Sequence, residues 1–423
     1  MRSTLTLGDT FIMHTRSGES EADEAVVVEL DERGAAVVWP KAIEMFDALR
    51  RNDTRKVPDP LVLRSGGGWL TLQDGVEQGT SASTFGYSEQ RLRYFRAIST
   101  GARGVDYSSV HGMSSTVDGL ATWTGLVPVT QEVGLDNSSL RIDELSITAK
   151  NLDPLPLGGP LNLELTTSYT HSPHPKGGVY QISTALDVRT RNREAVDWAV
   201  HAQEHRMIQD LMCLAYGRPC LSRIGAVMRE DDQEVEPRDE RRFWRQAYEP
   251  GFGRSARGVG GLTDNDKPLF YFDDTDPAKV TAWLTGYALW SRPTWIAVTP
   301  LFHADLPVES RLLHVAVALE SLGAAIAERE GNKAPTTFEG LLKLVCNSLG
   351  FMPEQIVGKS STAEWCREFN RTYKGVKHAD NLLPNPLEAF QRAQEGLTLI
   401  RCWLGVELGV SSEVLVENLA DER

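Results

Sequence analysis

Cysteine is scarce in this 423-residue chain, and the five that occur (Cys213, Cys220, Cys346, Cys366 and Cys402) contain no C-x-x-C spacing. An odd set spaced this way supports neither a disulfide framework nor a zinc knuckle, so it reads as reduced, mostly buried thiols of a cytoplasmic protein. Basic residues are in the minority, 44 Lys+Arg against 58 Asp+Glu, for a formal charge of -14. Overall charge therefore does not hold this chain on nucleic acid, and any such contact needs a local basic patch. The stretch from Met1 to Phe11 has no apolar run and no small-residue cleavage site, so no secretory signal is expected. Leu312 to Ala327, the most apolar helical stretch, is broken by His314, Glu320 and Ser321 and reads as too short and too polar to span a bilayer. The glycines Gly66, Gly67 and Gly68 are followed by neither Lys-Ser/Thr nor a helix start, which excludes a phosphate loop. Internal repeats and low-complexity tracts are missing too. What remains, 41% hydrophobic and 24% charged residues, is ordinary globular composition for two or three domains.

Two periodicities divide the chain. The first 190 residues mostly alternate with period two. Ala25 to Leu30 and Ala35 to Trp39 flank Asp31-Glu32-Arg33-Gly34 and predict a hairpin. Leu61 to Leu63 and Trp69 to Leu72 flank the glycines, and Leu140 to Thr148, Leu161 to Thr170 and Val179 to Val188 predict three longer strands. Leu161, Leu163 and Leu165 share one strand face with Asn162 and Glu164 on the other, so an antiparallel sheet, sandwich or partly closed barrel is expected. The period changes at Asn192. Val196, Val200, Met207, Ile208, Leu211 and Leu214 have helical spacing until Gly217 and Pro219 stop it. Strands are expected over Ser222 to Met228 and Arg242 to Tyr248, with Glu230 to Arg241 as a solvated loop. Gly251 to Gly261 reads as a flexible joint.

Beyond the joint the chain is helical. Helices are expected from Asp276-Pro277 to about Leu289, from Pro307 to about Glu330, from Thr337 to Leu349, from a Thr362 cap to about Ala379, and from Leu387 to Leu408. The fold class is thus α+β: a β-rich N-terminal domain over 1–190, a helix-plus-strands connection over 191–261, and a helical bundle over 262–423.

The fourth of these helices carries the sharpest chemistry. Trp365, Phe369, Tyr373 and Val376 form an apolar stripe that must pack. Arg367, Arg371, Lys374 and His378 form a second, polar stripe, basic within an acidic chain, and Arg367, Asn370, Lys374 and Lys377 are the candidate RNA-contacting side chains. Arg371 and His378 are seven residues apart, two turns along one face and about 10 Å apart along the axis. RNA brings its own nucleophile, the 2'-hydroxyl. Its cleavage therefore needs a proton acceptor, a proton donor and fixed positive charge, but no metal or other cofactor. Histidine supplies proton transfer near neutrality, and arginine stabilises the charge of the transition state. The plainer reading of the same stripe is a solvated basic face.

The run from Arg371 to His378 resembles the Arg-x(4–6)-His motif of HEPN domains at its longest spacing. The helix from Leu312 to Leu322 resembles the long early helix of ApeA-like HEPN domains, with its "LE-L" run at Leu319, Glu320 and Leu322. The N-terminal region, through Asp118 to Gly125 and the strands after it, resembles the β-rich N-terminal domain of ApeA-type antiphage proteins. The resemblance implies a metal-independent endoribonuclease with Arg371 and His378 catalytic and two motif copies meeting across a homodimer. It also implies abortive antiphage defence, with the N-terminal domain as a sensor of a phage-derived trigger or a restraint on the nuclease. The common motif has a polar residue, often Asn, directly after the arginine; here Thr372 follows and Asn370 precedes.

Two other readings compete. A degenerate bundle that only dimerises would make the chain a sensing or scaffolding defence protein. Alternatively, His201, Glu204 and His205 match H-x-x-E-H, in which two histidines at i, i+4 share a zinc ion with the glutamate as base. That pattern needs a further acidic ligand, for which Glu230, Glu234 and Glu236 are available. The simpler account is an amphipathic helix with partly exposed histidines. His171 and His174 lie in a Pro/Gly-rich turn and read as no more than that, and Cys213 and Cys366 as core.

Overall fold

The computed structural model describes residues 5–15, 24–42, 57–66, 68–82, 87–100, 105–136, 141–171, 181–232, 244–254, 259–263, 265–358 and 360–421. The chain folds into two compact units, each discontinuous in sequence. Unit 1 comprises Met1–Thr116, Arg189–His205 and Ser222–Ser255, and unit 2 comprises Val117–Val188, Arg206–Leu221 and Ala256–Arg423.

Unit 1 is built around strands β1 (Thr10–Thr15), β2 (Ala25–Asp31), β3 (Gly34–Ala42), β4 (Leu61–Ser65), β5 (Gly68–Ala82), β6 (Tyr87–Thr100) and β7 (Ser109–Val117). The order β6-β3-β2-β1-β4-β5, with β5 returning to pair with β6, closes a barrel, and each neighbouring pair is antiparallel. Alternation explains the wall. Val26, Val28 and Leu30 of β2 point inward, where they meet Leu63, Leu72, Leu92 and Tyr94. The expected hairpin is the β2–β3 pair; the Asp31 carboxylate accepts from the Arg33 N–H at 2.7 Å, and Gly34 sits at φ 128°. Closure also removes the exposed edges that a sheet of this length would otherwise present.

Past the barrel, β6 pairs with β14 (Trp244–Tyr248), which pairs with β13 (Ser222–Met228). The unit 1 residues of β12 (Ile182–Asp197) extend the same sheet beside β7. Helix α2 (Trp198–Tyr216) begins here, and its Trp198 joins Val110, Met113, Ile224, Val227 and Phe252 in a second core.

Unit 2 holds α1 (Leu120–Thr124), a hairpin of β8 (Val129–Asp136) and β9 (Arg141–Ala149), and β10 (Leu155–Gly158) paired with β11 (Leu163–His171). Its helices are α3 (Pro277–Thr285), α4 (Tyr287–Val298), α5 (Val308–Arg329), α6 (Phe338–Leu349), α7 (Glu354–Val357), α8 (Thr362–Lys377), α9 (Pro386–Glu407) and α10 (Ser412–Asp421). The helix expected from Pro277 to Leu289 breaks at Gly286 and resumes as α4. Helix α5 runs 22 residues, longer than its apolar stretch suggests and long enough to cross a membrane. Its Leu312, Val315, Leu319, Leu322 and Ile326 are buried in the bundle core, where it packs against α4, α6, α8 and α9.

The contiguous division at 190 and 261 does not coincide with the compact units. Leu157, Leu163, Leu165, Leu186 and Val188 come from the β-rich stretch, yet they enter one core with Leu211, Trp283, Leu319 and Trp403. An apolar strand face goes where it can be buried, whatever the periodicity of its sequence neighbours. Part of the Gly251–Gly261 joint (255–258), most of the Glu230–Arg241 loop (233–241) and His174 lie outside the described residues.

Candidate functional site

Helix α8 begins with a capping box. The Ser361 hydroxyl accepts from the Glu364 N–H at 3.3 Å, and the Glu364 carboxylate accepts from the Ser361 N–H at 3.4 Å. The cap is therefore Ser361 and not Thr362, because Ser361 is the residue with extended backbone and a glutamate three positions on. Trp365, Phe369 and Tyr373 are buried as the apolar stripe requires, and Phe338 of α6 stacks 4.8 Å from the Tyr373 ring. Arg367, Arg371, Lys374 and Lys377 stand exposed on the outer side. The helix ends at Lys377. His378 is its C-cap, extended at φ -116°, with its N–H donating to the Lys374 carbonyl at 3.0 Å and its side chain exposed.

Gly375 lets the following loop fold back, since a Cβ there would come within 2.6 Å of the Leu382 carbonyl. Arg371 and His378 are thus exposed side chains two turns apart, as the spacing predicts. Asn370 departs from the stripe: it is half-buried and its Oδ1 is buried without a partner among the described residues.

The carboxylates around the stripe are not legible in the sequence. Arg371, 73% exposed, pairs with Glu388 of α9 at 3.4 Å. Thr372, directly after it, is buried and donates to the same Glu388 oxygen at 2.8 Å. The hydroxyl therefore fixes a carboxylate beside the guanidinium. One turn earlier, Arg392 bridges Glu368 and Glu395 at 2.6 Å each, and Glu395 also accepts from the Trp365 indole at 2.8 Å. On the α6 side, Lys343 holds the Glu339 carboxyl below its usual range, with Arg367 and Lys374 adding to the effect. Glu388, Glu395 and Glu339 come from other helices, so no spacing within α8 encodes them.

The H-x-x-E-H residues occupy a different setting. His201 and His205 are both 0% exposed. His201 Nε2 lies 3.0 Å from the Val110 carbonyl, which can only accept, so Nε2 carries the proton and Nδ1 accepts from the Thr190 hydroxyl at 2.8 Å. With its hydrogen so placed, Thr190 accepts from His205 Nε2–H at 3.0 Å, and His205 Nδ1 accepts from Ser115 at 2.6 Å. Each ring nitrogen is engaged by a protein group, so neither imidazole turns a lone pair toward an open coordination position. No group of three or more ligating side chains that could hold a metal ion occurs among the described residues. The expectation of partly exposed histidines is also corrected, because α2 lies with this face against the sheet of unit 1. Glu204 is nearly buried, and burial raises its carboxyl.

Burial, with neighbouring His201, lowers His205 to about 3, and burial lowers His201 as well. The unfolded chain takes up these protons near pH 6.5 and the native chain does not, so unfolding is favoured as pH falls. We expect stability to fall as the pH drops below about 6.5, with His205 contributing a loss of about 1.4 kcal/mol per pH unit and His201 adding in the same direction. Calorimetric melting between pH 7 and 5, above the carboxylate range, checks this. A flat melting temperature across that window would show that both rings titrate normally.

A closed β-barrel with a flanking sheet, and a helical bundle bearing an exposed basic stripe, define an α+β protein whose candidate site lies on its C-terminal helices. The chain belongs to the ApeA family, being matched over residues 18–281 by the family model for ApeA N-terminal domain 1. That membership places it among antiphage defence proteins. No curated protein and no solved structure matches it.

Proposed function

We propose that this protein is a metal-independent endoribonuclease of the HEPN type acting in antiphage defence. The observation that carries the reading is the exposed Arg371–His378 pair on α8, flanked by Arg367, Lys374 and Lys377 in a chain of net charge -14. In this reading the stripe holds RNA phosphates and the Arg371 guanidinium stabilises the charge that develops on the scissile phosphate. His378 exchanges the proton of the 2'-hydroxyl or of the leaving 5'-oxygen. In-line cleavage wants an acid and a base on opposite sides of the phosphate, so two copies of α8 meet across a homodimer. The apolar row beside the stripe supports such an interface: Leu382 is 94% and Leu387 72% exposed, with Leu383 and Phe390 next to them. In the same reading the β-rich region senses a phage-derived trigger or restrains the nuclease, in the cytoplasm and away from membranes.

The Arg371–Glu388 ion pair favours one alternative, a non-catalytic scaffold whose bundle only dimerises, because a paired arginine is less available to phosphate. Incubating the purified protein with RNA in excess EDTA separates the two. Cleavage that survives chelation is expected. Cleavage that chelation abolishes contradicts the mechanism, and intact RNA under every trigger tried leaves the scaffold.

A further inference from the structure

Within the basic stripe, Arg371 is the cation that is already paired. Arg367, Lys374 and Lys377 stand exposed and make no ion pair among the described residues, whereas Arg371 Nη2 lies 3.4 Å from Oε1 of Glu388 on α9. Nη2 belongs to both two-pronged donor edges of a guanidinium, Nη1/Nη2 and Nε/Nη2. A carboxylate seated on it therefore competes with a bidentate grip on phosphate.

Glu388 is held in place from two further sides. It is third in α9, after the Asn385 cap and Pro386, where the helix dipole favours a negative side chain. Its Oε1 also lies 2.8 Å from the hydroxyl of Thr372, a residue only 2% exposed. That hydroxyl has a local acceptor in the Glu368 carbonyl at 3.0 Å, so the carboxylate is not needed to satisfy it. Nor does stability account for the pair, because an ion pair this exposed contributes little.

We propose that Glu388 is an internal competitor for RNA phosphate, an autoinhibitory carboxylate that occupies Arg371 until a phosphate displaces it. The inference rests on Arg371 as a phosphate ligand, which is the binding part of the function proposed above. A weak, exposed pair suits the role. It withholds the guanidinium from a stray anion, yet yields to a phosphodiester chain that Arg367, Lys374 and Lys377 hold nearby.

The test uses the full chain in EDTA, with fluorescence anisotropy of labelled 2'-O-methyl oligouridine over a salt series. This probe lacks the free 2'-hydroxyl and is not cleaved. Glu388→Gln keeps the side-chain volume and an acceptor for Thr372, so the melting temperature should stay at the wild-type value. Binding should tighten about threefold, the scale of an exposed ion pair. The slope of log K against log salt should steepen by about 0.7, for one more phosphate neutralised. Glu388→Ala should show the same gains, which then do not depend on the new amide. Combining Glu388→Gln with Arg371→Gln should abolish both gains. Wild-type affinity and slope in Glu388→Gln and Glu388→Ala overturn the proposal. Weaker binding also overturns it, since Glu388 would then orient Arg371 for phosphate instead of withholding it. An equal gain in the Arg371→Gln background would mark general charge repulsion, and absence of binding by every chain would remove the phosphate ligand; each overturns the proposal. Cleavage of unmodified RNA is measured separately, so tighter binding without cleavage supports the competitor while the nuclease reading fails.

Discussion

Replacing His378 with alanine should lower RNA cleavage at least about a hundredfold, the scale of a lost general acid or base, and abolish any associated toxicity. Melting temperature and oligomeric state should not change. His378 stands past the last turn of α8 with an exposed ring, and its helix-ending bond is made by the backbone N–H, which alanine retains. No cavity opens, so a lost activity is attributable to the imidazole. If the site is shared between two copies of α8, mixing Arg371→Ala and His378→Ala chains should restore a low, measurable rate, because some dimers then carry one intact pair. Wild-type toxicity in the His378→Ala variant would sink the catalytic assignment.

Arg401→Met should destabilise unit 2 by about 3 kcal/mol, a scale set by buried acceptors that lose a charged donor. Arg401 lies within α9 and is only 5% exposed. Its Nε donates to the Leu214 carbonyl at 2.9 Å and its Nη2 to the Ala215 carbonyl at 3.0 Å. These carbonyls belong to the last turn of α2, where a cation meets the negative end of the helix dipole; the Ala215 carbonyl also accepts from the Leu269 N–H at 2.7 Å, so the Leu214 carbonyl depends most on the guanidinium. Methionine matches the volume but supplies no donor. Lysine should rescue only in part, because one ammonium does not reproduce the fork. Urea melts of the wild type and both variants give the comparison. A loss below about 1 kcal/mol for Arg401→Met would mean that water replaces the guanidinium at those carbonyls.

The elements that the sequence predicts well are those whose pattern is local. The β2–β3 hairpin, α6 and the apolar stripe of α8 follow from alternation, caps and helical spacing, all written within about twenty residues. By contrast, β5 beyond Leu72 and β6 are not legible. Their exposed positions are mostly polar, with Val76 and Phe95 as exceptions, and segments such as Gln73 to Ala82 look like loop until the barrel closes and gives Leu92 and Tyr94 an interior to face. The extent of α4 is hidden for a related reason: Pro293 lies inside it and reads as a stop. At the candidate site, Arg371 and His378 are legible because one helix and its C-cap carry both. Glu388, Glu339 and the Arg392 bridge are not, because each reaches the stripe from another helix. The burial of the two histidines of α2 is hidden on the same account, since Thr190, Ser115 and Val110 come from strands outside the helix.

The interleaving of the two units bears on how the gene can be dissected. The chain passes between them five times, and β12 and α2 each straddle one of those passages. A reading frame starting near Leu262 retains the basic stripe but omits Leu163, Leu165, Leu211 and Leu214, which belong to the same core as Leu319 and Trp403. Such a fragment would expose the apolar surface those leucines normally cover, and insolubility would then say nothing about restraint of a nuclease. The bundle is also not a cassette that recombination can lift out with one crossover on each side. A functional exchange between two such genes has to carry the strands of unit 2 along with its helices.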